Sequence, residues 1–276
     1  MRAALFQSRT GIDPAANARD LVAAIDAARA DGADMLFTPE MSGLMDRDRA
    51  RAAAHLTCEK DDAVLAAVRD AAARTGLWVH LGSLALAGER ADGRLVNRGF
   101  LIDGGGAIRA RYDKMHLFDV DLPTGESWRE SASYAPGDSA VVADTPWGRI
   151  GLSICYDLRF PDIFRALSDA GAVMLAVPAA FTVPTGAAHW HVLLRARAIE
   201  AAAFVIAAAQ GGDHADGRAT YGHSLLVDPW GEILLDMGDD AGVRTIEVNL
   251  GRVEEVRARI PVLRHRRPIG AAVVAP

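Results

Sequence analysis

The fold class turns on Arg98-Gly99-Phe100-Leu101-Ile102-Asp103-Gly104-Gly105-Gly106-Ala107-Ile108-Arg109-Ala110-Arg111-Tyr112. Two strand-like runs flank three consecutive glycines. Glycine supplies the positive φ angles of a tight reversal, so the stretch reads as a β-hairpin. On its N-terminal side the chain alternates instead. Residues 2–7 read as a strand. Asp13-Pro14 places an N-cap before a proline in the first helical turn, and the Ala/Leu/Ile-rich run that follows continues to Arg29 and stops by Gly32. Met35-Leu36-Phe37 is a short apolar strand ending in Pro39-Glu40. A second helix is predicted over 61–74, with Gly76 just past it, and 77–84 is a third strand. Two β-α-β units are thus complete before the hairpin.

Beyond the hairpin the two patterns mix. Runs 141–144 and 149–154 around Thr145-Pro146-Trp147-Gly148 read as a second hairpin, and runs 224–227 and 232–236 around Asp228-Pro229-Trp230-Gly231 as a third. Between them lie a helix over 161–170, a strand over 173–177, a helix over 187–202 and a strand over 204–208. Crossover units interrupted by hairpins suit an α/β fold of two packed sheets covered by helices better than one doubly wound parallel sheet. No Pro/Ser/Gly-rich stretch or charge run divides the chain, so residues 1–276 are expected to form a single domain. The segment 115–137 is long and polar for a loop, and such loops carry function or move.

Half of the 276 residues are apolar and the net charge is −6, which leaves no basic stripe to neutralise phosphates; nucleic acid is not an expected partner. The opening Met1–Gln7 has one basic residue and an apolar run too short for a secretory core or a membrane span, so no membrane association and a cytoplasmic location are expected. The two cysteines, Cys58 and Cys155, lie far apart in unlike contexts and are expected to be reduced thiols. Lysine occurs only at positions 60 and 114, leaving 28 arginines. A lysine that survives such a bias is a candidate for a place that needs a compact ammonium rather than a planar guanidinium, although codon usage produces the same pattern.

Three residues carry the candidate chemistry. Cys155 follows the apolar strand Gly151-Leu152-Ser153-Ile154 and precedes a helix start, a setting that favours a thiolate and can bind an oxyanion; taken alone it reads more readily as a small buried apolar residue. Glu40 stands at the C-terminal end of an apolar strand, where α/β proteins open their ligand crevice. Lys114 ends the strand that begins at Ile108. Cys58, in Thr57-Cys58-Glu59-Lys60, has no such setting. His189 and His191 form an H-x-H pair whose rings diverge on a helix, and no acid or cysteine nearby in sequence completes a zinc set, so no metal site is expected. His116 is a rival partner for Cys155 in a Cys–His pair. Gly104-Gly105-Gly106 is a turn and not a phosphate cradle, since no G-x-G-x-x-G or Walker pattern opens a helix there.

Around these positions the sequence resembles the nitrilase superfamily of carbon–nitrogen hydrolases, whose signature is a Glu, a Lys and a Cys in that order. The matching segments are Phe37-Thr38-Pro39-Glu40, Tyr112-Asp113-Lys114-Met115-His116-Leu117-Phe118-Asp119 and Ser153-Ile154-Cys155-Tyr156-Asp157-Leu158-Arg159-Phe160-Pro161. Similarity continues through His189–Glu200, Tyr221-Gly222-His223-Ser224, Asp228-Pro229-Trp230-Gly231 and His265-Arg266-Arg267-Pro268. The resemblance implies a four-layer αββα sandwich, no cofactor, and pairing of two chains through helices that include the one after Cys155. It implies a cysteine-dependent amidase of the omega-amidase and deaminated glutathione amidase branch. An N-carbamoyl-amide hydrolase, a nitrilase or a silent scaffold of the same fold are the alternatives. Glu40, Lys114 and Cys155 would be catalytic, with the backbone N–H of Tyr156 at the oxyanion. The family's second glutamate falls by spacing on Glu130, with Glu126 as competitor. Arg159 is a candidate for a substrate carboxylate, and Phe181 and Thr185 are further candidate substrate contacts. The stretches Thr124–Arg129 and Gln210–His214 depart from the family pattern and are candidate pocket walls.

Overall fold

In the computed structural model, which describes residues 1–88, 92–121, 125 and 127–275, the first strand β1 (Arg2–Gln7) sends Ala3 and Leu5 to one core and Ala4 to another. That period-two alternation separates the layers of the molecule. The chain continues through α1 (Pro14–Ala30), β2 (Met35–Phe37), α2 (Arg49–Ala53), α3 (Ala63–Thr75), β3 (Trp78–Ala87), β4 (Leu95–Ile102) and β5 (Ile108–Asp113). Then follow β6 (Asp119–Asp121), β7 (Ser127–Arg129), β8 (Val141–Thr145), β9 (Gly148–Leu152), α4 (Pro161–Asp169), β10 (Met174–Ala176), α5 (Val183–Ala201) and β11 (Phe204–Ala207). Last come β12 (Gly211–Asp213), β13 (Ala219–Tyr221), β14 (Leu225–Val227), β15 (Ile233–Asp236), β16 (Gly242–Glu247), α6 (Gly251–Arg259) and α7 (Val262–His265).

Two six-stranded mixed sheets result, ordered β16-β1-β2-β3-β4-β5 and β15-β14-β11-β10-β9-β8. Each has a parallel centre, β1-β2-β3 or β9-β10-β11, flanked by antiparallel strands. The hairpins read from the sequence are those flanks. Between the sheets, Ala3, Leu5, Met35, Phe37, Leu101 and Tyr112 pack with Ile150, Leu152 and Met174. On the outside of the first sheet, Leu36, Val79, Leu81 and Phe100 meet Leu21 and Ile25 of α1 and Leu65 and Val68 of α3. Phe164 and Leu167 of α4, with Trp190 and Leu194 of α5, cover the second sheet. The order helix, sheet, sheet, helix is the expected αββα sandwich.

Capping explains where α1 and α3 begin. The Asp13 side chain accepts from the Ala15 N–H ahead of Pro14, and Asp62 accepts from the Leu65 N–H. Elsewhere the chain departs from expectation. Helix α5 begins at Val183, a turn before 187, because Pro184 serves as a first-turn residue rather than a breaker. The segment 115–137 is not plain loop: β6 and β7 pair antiparallel, Asp119 opposite Arg129, and a 3₁₀ turn spans Glu130–Ala132. Three-residue strands are too short to show an alternation in sequence.

Candidate active site

Glu40, Lys114 and Cys155 come from both sheets and meet between them. Glu40 lies three residues past β2, Cys155 three residues past β9, and Lys114 directly after β5. All three are buried, Glu40 at 5 %, Lys114 at 2 % and Cys155 at 7 % exposure. Buried charges need partners, and here they have them. The Lys114 ammonium donates to Glu40 Oε1 at 2.9 Å and to Glu130 Oε2 at 2.9 Å and Oε1 at 3.1 Å. Glu130 is thus brought to the site, as spacing suggested; Glu126, its competitor, lies outside the described residues. Asn97 Nδ2 donates to Glu40 Oε1 at 2.9 Å and to Glu130 Oε1 at 3.3 Å, tying the two carboxylates together. The Ala180 N–H, just beyond β10, holds Glu40 Oε2 at 3.0 Å, and the Phe118 N–H holds Glu130 Oε2 at 2.6 Å.

The backbone under Glu40 needs room. A Cβ on Gly82 would stand 2.2 Å from the Thr38 oxygen and 2.4 Å from that of Pro39, so the turn carrying Glu40 crosses β3 only because that position is glycine. Gln210 Nε2 supports the same turn by donating to the Glu40 carbonyl at 2.9 Å.

Cys155 opens a five-residue 3₁₀ turn, not an α-helix, at a left-handed φ of 51°. A β-carbon at positive φ is strained and persists only where neighbours fix it. Asp157, fully buried, does much of that fixing. Its Oδ2 accepts from the Ile154 N–H at 2.8 Å and the Tyr112 hydroxyl at 2.7 Å, while Oδ1 accepts from the His116 N–H at 3.0 Å. One carboxylate therefore bolts the cysteine turn to the lysine segment. His116 Nδ1 also lies 2.7 Å from Asp157 Oδ1, and the ring stacks on Phe160 at 3.7 Å, so the Cys–His pairing fails.

Burial and the adjacent Glu40 carboxylate hold the Cys155 thiol well above its ordinary value, against the pull of Lys114. At rest it is a neutral thiol beside an acceptor. Burial works against the Lys114 ammonium, but Glu130 and Glu40 outweigh it and hold its pKa well above the ordinary value. The site therefore keeps an ammonium next to a neutral thiol.

These groups line a cleft of about 950 Å³, together with Tyr156, Arg159, Phe181 and Thr185. Arg159 lies over the rings of Tyr156 and Phe181, 5.9 and 5.4 Å from their centroids, with Nη1 3.2 Å from His189 Nδ1. Of the departing stretches, Ser127, Trp128 and Arg129 form part of the wall, whereas 210–214 does not reach it. Cys58 sits elsewhere, donating to Asp61 Oδ2. His189 and His191 diverge as expected, but His191 does acquire an acid: His223 and Asp236, distant in sequence, gather beside it. Asn97 and the Ala180 N–H carry no signal in the sequence, and Tyr112 and Asp157, although they stand in the matching segments, show no role there.

The carbon-nitrogen hydrolase family profile matches residues 2–258. The deaminated glutathione amidase of Yersinia enterocolitica is 40 % identical over 243 residues, which are 88 % of this chain and 85 % of that protein. Among solved structures, the C. elegans NitFhit protein superposes with a TM-score of 0.88 at 35 % identity, over 96 % of this chain and 65 % of that one. A mutant of the amidase from Nesterenkonia sp. AN1, carrying acrylamide added at its active-site cysteine, superposes with a TM-score of 0.77 at 26 % identity, over 95 % and 98 %. The chain belongs to the carbon-nitrogen hydrolase family and is an enzyme acting on carbon–nitrogen bonds other than peptide bonds.

Proposed function

We propose that this protein is a cytoplasmic amidase, folded as one catalytic domain over 1–276, that releases ammonia from a small linear carboxylate-bearing amide through an acyl-thioester on Cys155. The observation that carries the reading is the convergence of Glu40, Lys114, Glu130 and Cys155 in one cleft, with a neutral thiol beside the Glu40 carboxylate.

The chemistry follows from those positions. As the amide carbon comes within reach, the thiol proton passes to Glu40 and sulfur attacks. Negative charge grows on the carbonyl oxygen, where the Lys114 ammonium and the Tyr156 N–H receive it; one such donor supplies roughly 3–4 kcal/mol. Glu40 returns its proton to the leaving nitrogen, ammonia departs and the thioester remains. Glu40 then takes a proton from water, which attacks the thioester and frees the acid. Glu130 holds Lys114 in place throughout. Its charge also keeps that ammonium protonated when Glu40 is neutral.

The substrate class follows from the wall. Arg159 rests on two aromatic faces and, among the described residues, makes no ion pair, which suits bidentate capture of a substrate carboxylate. Phe181 is one of those faces, and Thr185 lines the same cleft. The relative named deaminated glutathione amidase makes that amide the first candidate. We further assign the working enzyme as a homodimer paired through the α4 and α5 layer, where Val192 and Ile199 stand 68 % and 50 % exposed. Ammonia release across deaminated glutathione, 2-oxoglutaramate, 2-oxosuccinamate, a carbamoyl amino acid and a nitrile tests the reading. Turnover at least tenfold faster with deaminated glutathione than with the rest is expected. Preference for 2-oxoglutaramate would reassign the substrate, and preference for the carbamoyl compound or the nitrile would reject the amidase reading.

A further inference from the structure

We infer that His191, His223 and Asp236 form a binding site for one divalent transition-metal ion outside the catalytic cleft. His191 lies on α5, His223 precedes β14 and Asp236 ends β15. One ligand atom of each lies within 4.8 Å of the other two. Asp236 Oδ2 is 3.0 Å from His191 Nε2, and Oδ1 is 2.9 Å from His223 Nδ1. Ligands about 2.1 Å from a tetrahedral ion stand about 3.4 Å apart, so an ion enters with small side-chain movements and replaces the shared protons. Two imidazoles and a carboxylate suit zinc or its neighbours in the first transition row. Magnesium and calcium, which want oxygen shells, are poor fits.

The surroundings match such a site. Metal-bound imidazoles usually hand their second nitrogen to an acceptor. His223 Nε2 faces Asp239 Oδ1 at 3.9 Å, while the Gly238 N–H orients Asp236 by donating to Oδ1 at 2.9 Å. His223 itself is held at a left-handed φ of 53°. Its N–H donates to the Gly238 carbonyl at 2.8 Å, its carbonyl accepts from Trp190 Nε1 at 2.8 Å, and its ring stacks on Tyr221 at 4.4 Å. A strained non-glycine residue fixed on three sides is a preset ligand. The three side chains are 29 %, 24 % and 34 % exposed, which gives an ion access and leaves a coordination position for water. None of them lines the cleft, but Thr185 in the first turns of α5 does. An ion here clamps α5 to the β14–β15 hairpin and so stiffens one wall of the active site.

The test is a Co²⁺ titration of chelator-stripped protein, comparing Cys58→Ala, which removes the more exposed thiol, with that background carrying His191→Gln, His223→Ala or Asp236→Asn. Cobalt is read by its visible absorption, and thermal denaturation is followed alongside. We expect one equivalent to bind with micromolar affinity, a nitrogen/oxygen ligand-field band without sulfur charge transfer, and a raised Tm. Each ligand variant should bind at least tenfold more weakly while its metal-free ammonia release is unchanged. Equal uptake by all variants, a sulfur charge-transfer band, or no stoichiometric uptake would overturn the site.

Discussion

Lys114 is the residue at which charge and shape separate most clearly. Its ammonium sits between Glu40 and Glu130 at hydrogen-bond distance from both, a space matched to one nitrogen. A guanidinium keeps the charge but spreads it over a planar fork that the two carboxylates and Asn97 leave no room for. Lys114→Arg is therefore expected to lower kcat/KM at least 100-fold; activity within tenfold of wild type would remove the oxyanion role. In the sequence, Lys114 showed itself through the scarcity of lysine, and Glu40 and Cys155 through their places at strand ends. Asn97 and Asp157 did not. An Asn inside a strand and an Asp after a cysteine are ordinary by type, and their work depends on partners such as Glu40 at 57 positions' distance and Tyr112 at 45.

Among the elements, α5 shows how periodicity informs and where it stops. Its buried Trp190, Leu194 and Ala198 follow helical spacing and mark the face on the second sheet. Val192 and Ile199 occupy the opposite side, and an apolar pair left in water on a regular helix points to a partner. Val192→Asp places a charge there and should turn the proposed dimer into a monomer in sedimentation velocity; a variant that still sediments as the wild type would remove α5 from the interface. Short elements were less legible. The strand β2 is three residues long and fully buried on both faces, so only its apolar run marked it, whereas β6 and β7 lie in polar sequence and had nothing to mark them. The His191–His223–Asp236 cluster draws on three elements far apart in the chain, beyond any spacing rule.

At the scale of the whole molecule, the sandwich buries polar groups that couple its stability to pH. His80, on β3 and 2 % exposed, has its pKa pushed by burial from 6.5 down to about 3. A lowered folded-state value means that the unfolded chain binds the proton first. The stability associated with neutral His80 is therefore full above about pH 6.5 and is lost as the pH falls towards 3, at up to about 1.4 kcal/mol per pH unit. Urea unfolding of His80→Leu between pH 7 and 4 should show a shallower acid loss than wild type; parallel curves would mean that His80 does not contribute. The two-sheet architecture was visible in the sequence because hairpins interrupt the crossover units. The depth of the cleft between the sheets was not, since it depends on how loops from both sheets close over Cys155.

In the proposed mechanism Cys155 carries the acyl group. Intact-mass spectrometry and peptide mapping of enzyme quenched during turnover of a slow amide substrate measure that directly. A single acyl adduct is expected on the peptide holding Cys155, none on Cys58, and no adduct in Cys155→Ala. An adduct on Cys58, or one that persists in Cys155→Ala, would contradict it.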